Sequence, residues 1–275
     1  MRFAIISDIH ANLPALDAVL ADMKTYHIDH IICLGDIIGY GPFPTECLRR
    51  IREVTNYVVM GNHESAAAGI FDVNLFHDEA KEHILWTREQ LSDDDLSYIK
   101  GLNYMLDFQT FMISHAAFEN PDCFPYIETE EEAEEAFSQN SLNLMFIGHT
   151  HIPIVHRMNK QGGYAAIRKD VVKMNPQWRY IVNPGAVGLS RDEEFSAGYL
   201  IFDSDLYKIF MRRVNYNLQP LYDAVKQIAR DPQHQEVLLE RFRPRSVMNI
   251  KHQSAISKSA IMEAIMKHKK EHMQP

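Results

Sequence analysis

The chain has 275 residues, of which 46% are hydrophobic and 24% charged, with a net charge of −9 at pH 7. This composition is typical of a globular protein with one large domain or two small ones. The negative charge argues against broad nucleic-acid binding, and no run of 18 apolar residues is present to cross a membrane. Three cysteines without metal-type spacing fit a reduced compartment, so we expect a cytoplasmic protein.

The charge is distributed unevenly along the chain. Residues 241–275 contain eight Lys or Arg and two Glu, which makes this segment about +6 and the remainder about −15. Either the basic segment packs on the acidic body of the protein, or it attracts an anionic substrate or partner. The sequence leaves both alternatives open, and it also leaves a homo-oligomer open.

Short apolar runs alternate with segments of helical period through the first half of the chain. Strands are predicted at residues 3–7, 30–34 and 57–60, and helices at 13–23 and 45–53. Asn12 is predicted to cap the first of these helices, and Pro14 is tolerated in its first turn. The alternation of continuous apolar strands with helices predicts a parallel sheet covered by helices.

The remaining pattern is helical at residues 74–101 and then mostly β. Strands are predicted at 104–108, 110–114 and 142–147, with an acidic helix opened by Thr129 and Glu132 before the last of them. A second sheet, packed on the first, is predicted from strands at 154–158, 164–168, 179–182, 198–202 and 207–214. Helices are predicted at 218–230, 235–243 and 257–272. We therefore expect one α/β domain, residues 1–214, and a C-terminal helical appendage, residues 215–275, packed on it.

Five segments at predicted strand ends carry residue types that bind metals. The candidate ligands are Asp8, His10, Asp36, Asn62, His115, His149 and His151. Carboxylate, amide and imidazole groups suit Mn, Fe, Co, Ni or Zn. Two residues apart on extended backbone, Asp8 and His10 are expected to point to one side, as are His149 and His151. A structural role is the alternative for any single histidine, but seven candidates at the ligand-binding edge of an α/β sheet favour a metal site.

These segments resemble the calcineurin-like metallophosphoesterase superfamily in content and order. The matching blocks are Asp8-Ile9-His10, Gly35-Asp36, Gly61-Asn62-His63-Glu64, His115 and Gly148-His149-Thr150-His151. The block Gly39-Tyr40-Gly41-Pro42 and the segment from Asn183 to Arg191 resemble a bacterial and archaeal subgroup of small phosphodiesterases. The resemblance implies an α/β fold: a four-layer αββα sandwich of two mixed β-sheets flanked by helices, with a C-terminal helical extension.

The resemblance also implies a ligand set for two divalent transition-metal ions. Asp8, His10, Asp36 and His151 would hold one ion, and Asp36 as bridge, Asn62, His115 and His149 would hold the other. Manganese, iron, zinc, nickel and cobalt are all compatible with these ligands. Two such ions would supply a bridging hydroxide for in-line attack on phosphorus. Two M²⁺ ions, two carboxylates and one hydroxide leave a charge of +1, which attracts phosphate although the protein is acidic.

The resemblance makes His63 the catalytic residue that protonates the leaving oxygen, and the alternative is that it only supports the metal site. The family usually has Asp where this chain has Glu64, and we expect Glu64 to support His63 in the same way. Substrate-binding candidates are Asn12, Tyr40 and Arg191. The guanidinium of Arg191 suits a phosphate oxygen, whereas helix capping and packing explain Asn12 and Tyr40 equally well.

The predicted function is a dinuclear metal-dependent phosphoesterase that hydrolyses a phosphodiester or phosphomonoester of a small molecule or nucleotide. A protein phosphatase or a dinucleoside-polyphosphate hydrolase of the same superfamily is the alternative, and such substrates need a wide groove or further basic contacts. A non-enzymatic scaffold, like the retromer subunit with this fold, is expected to lack the acid histidine or some ligands. This chain has His63 and all seven candidate ligands.

Overall fold

The computed structural model describes residues 1–192, 195–229 and 232–242. The strands in these ranges are β1 Arg2–Ile6, β2 His30–Cys33, β3 Met105–Asp107, β4 Met112–Ser114, β5 Leu144–Phe146, β6 Ile154–Asn159, β7 Tyr164–Ile167, β8 Val171–Lys173, β9 Trp178–Asn183, β10 Ala197–Asp203 and β11 Lys208–Val214. The α-helices are α1 Leu13–Met23, α2 Pro44–Val54, α3 Asn62–Ala67, α4 Asp78–Gln90, α5 Asp93–Lys100, α6 Glu130–Gln139, α7 Gln219–Ile228 and α8 Pro232–Arg241. None of these helices combines the length and apolar composition needed to cross a bilayer.

The strands form two mixed sheets, each built from both halves of the chain. The first sheet has the order β2-β1-β10-β11-β8 and the second β3-β4-β5-β9-β6-β7. β1 is parallel to β2 and antiparallel to β10, with Arg2 opposite Asp203. The prediction that the strands after residue 151 form a sheet of their own was wrong. A strand's length and hydrophobicity do not specify which of two similar sheets it joins.

The two sheets pack face to face, and helices cover their outer faces. The core between the sheets contains alternate strand residues such as Ile5, Phe146 and Phe202, because successive side chains point to opposite faces. Leu16 of α1 belongs to the core on the outer face of the first sheet, and Phe137 of α6 to the core on the second. Each such fully buried side chain contributes about 1.5–3 kcal/mol to folding. The four-layer αββα sandwich of two mixed sheets is confirmed.

Several elements differ from their sequence-based expectations. The strand predicted at residues 57–60 is reduced to isolated bridges, in which Val58 pairs with Cys33 and Val59 with Asn103. Strand β8, which pairs with β11, and the short helix α3 were not predicted. Three residues in β8 and six in α3 are too few to show a hydrophobic period.

The C-terminal helices α7 and α8 pack on the first sheet's helical layer. Leu221 of α7 and Phe242, directly after α8, are fully buried in the same core as α1. The predicted helix at 257–272 and most of the basic segment lie outside the described residues. The division of the chain at residue 214 stays a prediction.

A buried histidine in β6 predicts acid sensitivity of the fold. Burial, together with the charge of Arg168, lowers the pKa of His156 to about 4. An unfolded histidine has a pKa of about 6.5, so the unfolded chain binds the extra proton between these values. The contribution of neutral His156 to the free energy of unfolding is therefore fully present above pH 6.5. It decreases as the pH falls towards 4, by up to about 1.4 kcal/mol per pH unit.

We expect His156→Asn to reduce the number of protons taken up on unfolding in this pH range by up to one, so that the free energy of unfolding depends less on pH. Urea denaturation of the metal-loaded protein between pH 7.5 and pH 4.5 measures the difference. His27→Asn is the matched control, because His27 is exposed and asparagine tolerates its left-handed backbone (φ +49°). Equal pH slopes in wild type and His156→Asn would contradict the assignment.

Candidate metal centre

The loops that follow β1, β2, β4 and β5 meet at one edge of the sandwich. These strands end at Ile6, Cys33, Ser114 and Phe146, which places every candidate ligand except Asn62 after the carboxyl end of a parallel strand. Asn62 is the first residue of α3. All seven candidates are buried, with at most 3% of their surface exposed. Because burying charged groups without partners is costly, such a cluster requires mutual compensation or a bound ion.

The ligand loops are tight left-handed turns rather than continuations of the strands. Asp8 and His10 have φ angles of +55° and +46°, and His149 and His151 have φ angles of +69° and +62°. The expectation that these residues lie on extended backbone was therefore wrong. The pairs converge because the loops turn back, at a backbone cost of about 1–2 kcal/mol per left-handed residue.

The first group of side chains consists of Asp8, His10, Asp36 and His151. Their ligand atoms all lie within 4.8 Å of one another. His151 Nε2 is 3.2 Å from Asp8 Oδ1, and His10 Nε2 is 3.6 Å from Asp36 Oδ2. This spacing suits a divalent ion held by two imidazoles and two carboxylates.

The second group shares Asp36 with the first. Asp36, His115 and His149 have ligand atoms within 4.8 Å of one another, and His115 Nε2 is 3.3 Å from Asp36 Oδ2. The amide oxygen of Asn62 lies 3.1 Å from the same nitrogen of His115. Among the described residues, Asp36 is the one that belongs to both groups.

The hydrogen bonds of the imidazole rings test whether a cation fits. Nδ1 of His151 donates to Leu189 O at 2.6 Å, and Nδ1 of His10 lies 3.3 Å from Ile38 O. A carbonyl only accepts, so each neutral ring carries its proton on Nδ1 and a lone pair on Nε2. The two Nε2 atoms nevertheless face each other at 3.1 Å. Two lone pairs directed at each other and at carboxylates suit a cation, and the carbonyls hold the rings in place for it.

Other orphaned atoms support the same fit. His149 Nε2 and Asp8 Oδ1 are buried without a hydrogen-bond partner within the described ranges. The ring of His149 stacks on Tyr126 with centroids 4.0 Å apart, which fixes its plane. No motif marks Tyr126 in the sequence, so its contribution was not predicted.

The ionisation states of the cluster follow from burial and from Asp36. Burial lowers the pKa of His10, His149 and His151 well below the ordinary value. Against the effect of burial, Asp36 raises the pKa of His115 to about 9, while the surrounding histidines, His115 foremost, hold the pKa of Asp36 well below its usual range. Without a metal, His115 and Asp36 therefore form a buried ion pair. A metal at this position replaces the proton of His115.

Glu64 supports the loop of Asp36 and not the His63 side chain as we expected. One carboxylate oxygen accepts from Asp36 N at 2.7 Å and Gly61 N at 3.0 Å, and the other accepts from Ile37 N at 2.7 Å and Ile38 N at 3.0 Å. Burial, together with the charge of Asp36, raises the pKa of Glu64 to about 7. These four hydrogen bonds thus join the loop that carries Asp36 to the loop that carries Asn62.

We expect Glu64→Gln to destabilise the fold by about 3 kcal/mol, because the new amide group opposes two buried N–H donors. The midpoint of thermal unfolding should decrease by about 6–12 °C. Metal affinity should fall about 10–100-fold, since the partners of ligand loops have effects of this size. Calorimetry and metal titration measure both effects. Glu89→Gln, at an exposed position of α4, should change neither; an unchanged midpoint for Glu64→Gln would refute the role.

His63 lies at the start of α3 beside the first group. Its ring packs against His10 at 4.8 Å and Tyr40 at 4.7 Å between centroids. Its Nδ1 has no hydrogen-bond partner within the described ranges. A Cβ at Gly39, which has a φ of +88°, would lie 2.2 Å from this nitrogen, so only glycine leaves room for the ring. Burial lowers the pKa of His63 to about 4.

Two of the substrate-binding candidates, Asn12 and Arg191, differ in their surroundings. Asn12 caps α1 by accepting from Ala15 N, and its amide donates to Gly188 O and Tyr216 Oη, so capping accounts for its hydrogen bonds. Arg191 is 4% exposed, and no ion pair or side-chain hydrogen bond joins it to the described part of the chain. Its charge lowers the pKa of His151, His149 and His63 in addition to burial, so its guanidinium lies near the cluster.

The sequence profile of the calcineurin-like phosphoesterase superfamily domain matches residues 1–205. The chain belongs to this superfamily. Members of the calcineurin-like phosphoesterase superfamily use divalent metal ions, and both groups around Asp36 are able to hold one. The chain is therefore a phosphoester hydrolase by class.

Relatives agree with this assignment. An uncharacterised protein of Methanocaldococcus jannaschii is 34% identical over 226 residues, which are 81% of this chain and 90% of that protein. The phosphodiesterase YfcE of Escherichia coli is 23% identical over 76% of this chain and 91% of its own. The crystal structure of a metallophosphoesterase from Sphaerobacter thermophilus superposes with a TM-score of 0.74 at 32% identity, covering 87% of this chain and 99% of that one.

Proposed function

We propose that the chain hydrolyses a phosphodiester or phosphomonoester of a small molecule or nucleotide with two divalent metal ions. Asp8, His10, Asp36 and His151 would hold one ion, and Asp36, Asn62, His115 and His149 the other. The observation that carries the proposal is the position of Asp36 in both groups of ligand atoms. Bound divalent ions lower the pKa of a coordinated water and offset negative charge on phosphoryl oxygens.

The side chains around the ligands divide the remaining tasks. Arg191 binds a non-bridging phosphoryl oxygen, because its guanidinium is buried beside the cluster and has no partner within the described ranges. His63 donates a proton to the leaving oxygen, since its ring packs on His10 beside the ligands. Tyr40, whose ring contacts both histidines, holds the His63 ring in position.

The test begins with the purified full-length protein and its metal content. We expect two divalent ions per chain and hydrolysis of bis(p-nitrophenyl) phosphate, p-nitrophenyl phosphate or both after loading with Mn²⁺. A chelator should remove the activity, and added metal should restore it. A protein that binds two ions and hydrolyses neither ester would refute the proposal. The ratio of the two rates distinguishes a diesterase from a monoesterase.

A further inference from the structure

Helix α8 ends beside the metal centre with Arg241. The guanidinium carbon of Arg241 lies 4.4 Å from the ring centroid of Tyr40, and its Nε is 2.5 Å from Glu79 Oε1 of α4. The Tyr40 ring in turn packs on His10 and His63. The region that matches the superfamily ends at residue 205, so this arginine comes from outside it.

The guanidinium of Arg241 is held in one plane, and its terminal nitrogens are unpaired within the described residues. Stacking on Tyr40 and the contact through Nε fix the plane of the guanidinium, whose side chain is 11% exposed. Neither Nη atom donates to a residue in the part of the chain that the structure describes. An arginine fixed in this way presents a planar pair of donors that matches two oxygens of a phosphate, with little entropy left to lose.

Arg191 and Arg241 lie near the same buried hydroxyl. Tyr40 is 1% exposed, and its hydroxyl has no hydrogen-bond partner within the described residues. Burial raises the pKa of this hydroxyl, and Arg241 and Arg191 are the two cations that oppose the rise. Asp36 and Glu79 are the carboxylates that act on the same hydroxyl in the opposite direction. The unpartnered hydroxyl donor beside the planar guanidinium of Arg241 favours an anion.

The contacts also indicate which part of a substrate Arg241 would meet. Arg191 contacts the ligand loop directly, because its backbone N donates to His151 O at 3.4 Å. Arg241 instead contacts Tyr40 and Glu79, and Tyr40 is the residue that contacts the histidines. A phosphoryl group at the ligands therefore meets Arg191, whereas Arg241 meets a more distant part of the same molecule.

We propose that Arg241 is a specificity-determining residue that binds a second phosphate group of the substrate, apart from the scissile phosphoryl group. The preferred substrate is then a small phosphoester that carries another phosphate, such as a phosphorylated nucleotide ester. This inference rests on the proposed phosphoesterase function and adds the C-terminal helices to the substrate site.

Two matched esters test the inference with the metal-loaded full-length enzyme. Thymidine 5′-(p-nitrophenyl phosphate) is compared with the same ester carrying a 3′-phosphate. We expect at least about tenfold higher kcat/KM for the 3′-phosphorylated ester, mainly through KM, as one charge-assisted contact provides. Arg241→Gln should remove the preference, so that the ratio of the kcat/KM values for the two esters falls to about one.

A matched control and a second variant isolate the role of the planar guanidinium donors of Arg241. Arg52 also stacks on a tyrosine, with its guanidinium carbon 4.6 Å from the Tyr98 ring centroid, but its Nη1 is paired with Asp94 at 2.8 Å. Arg52→Gln should leave the preference intact. Arg241→Lys keeps the charge without the planar donors and should retain only part of the preference. Equal losses on both esters in Arg241→Gln would show a structural role and overturn the inference.

Inhibition of the wild-type enzyme gives a test that needs no variant. Thymidine 3′,5′-bisphosphate should inhibit at least about tenfold more tightly than thymidine 5′-monophosphate, since only the first offers Arg241 a phosphate. Hydrolysis of both esters without preference, together with equal inhibition, would overturn the role of Arg241 and leave the phosphoesterase intact. Hydrolysis of neither ester would instead refute the proposed function itself.

Discussion

Replacing Asp36 with asparagine is expected to lower turnover by at least about 10³-fold, because the ions that Asp36 would hold stabilise the transition state by several kcal/mol. Asp36 belongs to both groups of ligand atoms, so losing its charge weakens both positions at once. Asparagine keeps an oxygen for the hydrogen bond that His63 N donates to Asp36 Oδ1 at 3.0 Å. The substitution therefore changes charge more than loop geometry.

Metal content by mass spectrometry and turnover on bis(p-nitrophenyl) phosphate measure this effect together. Asp95→Asn is the matched control, because Asp95 is a buried aspartate that accepts from Ser92 in the cap of α5. It should reduce thermal stability and leave both ions in place. Complete retention of one ion in Asp36→Asn would contradict a bridging position.

The second large effect is expected at His63. His63→Ala should lower kcat by about 10²–10⁴-fold and retain both ions, because no ligand atom of the two groups is removed. The loss should depend on the leaving group. An alkoxide needs a proton in order to leave, so the hydrolysis rate of an alkyl diester should fall most. p-Nitrophenolate leaves without a proton, so the hydrolysis rate of a p-nitrophenyl diester should fall least.

Parallel assays of a p-nitrophenyl and an alkyl diester distinguish proton donation from support of the metal site. His156→Asn serves as the control, since His156 is fully buried and lies in neither ligand group. If His63→Ala slows both esters equally, or releases an ion, His63 supports the metal ligands and is not the acid.

The candidate site was predictable because its residues occur in short blocks after apolar runs. Each block required only the expectation that a strand ends before it, as β1 does at Ile6 and β5 at Phe146. The geometry of the loops was not predictable in this way. Asp8, His10 and Tyr40 adopt left-handed backbone although they are not glycine, so these turns cannot be predicted from residue type. Their conformation is imposed by contacts with distant loops.

Contacts across long sequence separations account for the other differences. Glu64 accepts hydrogen bonds from the backbone of Ile37 and Ile38, more than 20 residues earlier in the chain. The sequence indicated only its neighbour His63 as a partner. Arg241 reaches Tyr40 and Glu79 from a helix that no family motif marks. The α/β class was predictable from local periodicity and the layer order from the family resemblance, whereas sheet membership depends on these distant pairings.

The construction of both sheets from the two ends of the chain has a consequence for synthesis. β1 lies between β2 and β10, and β5 lies between β4 and β9. A nascent chain of about 150 residues on the ribosome thus contains nearly every candidate ligand but lacks one neighbour of each central strand. Folding must wait for β9 and β10, and the open strand edges need protection until then. The metal centre is consequently a late product of folding, formed when the last strands close the sheets.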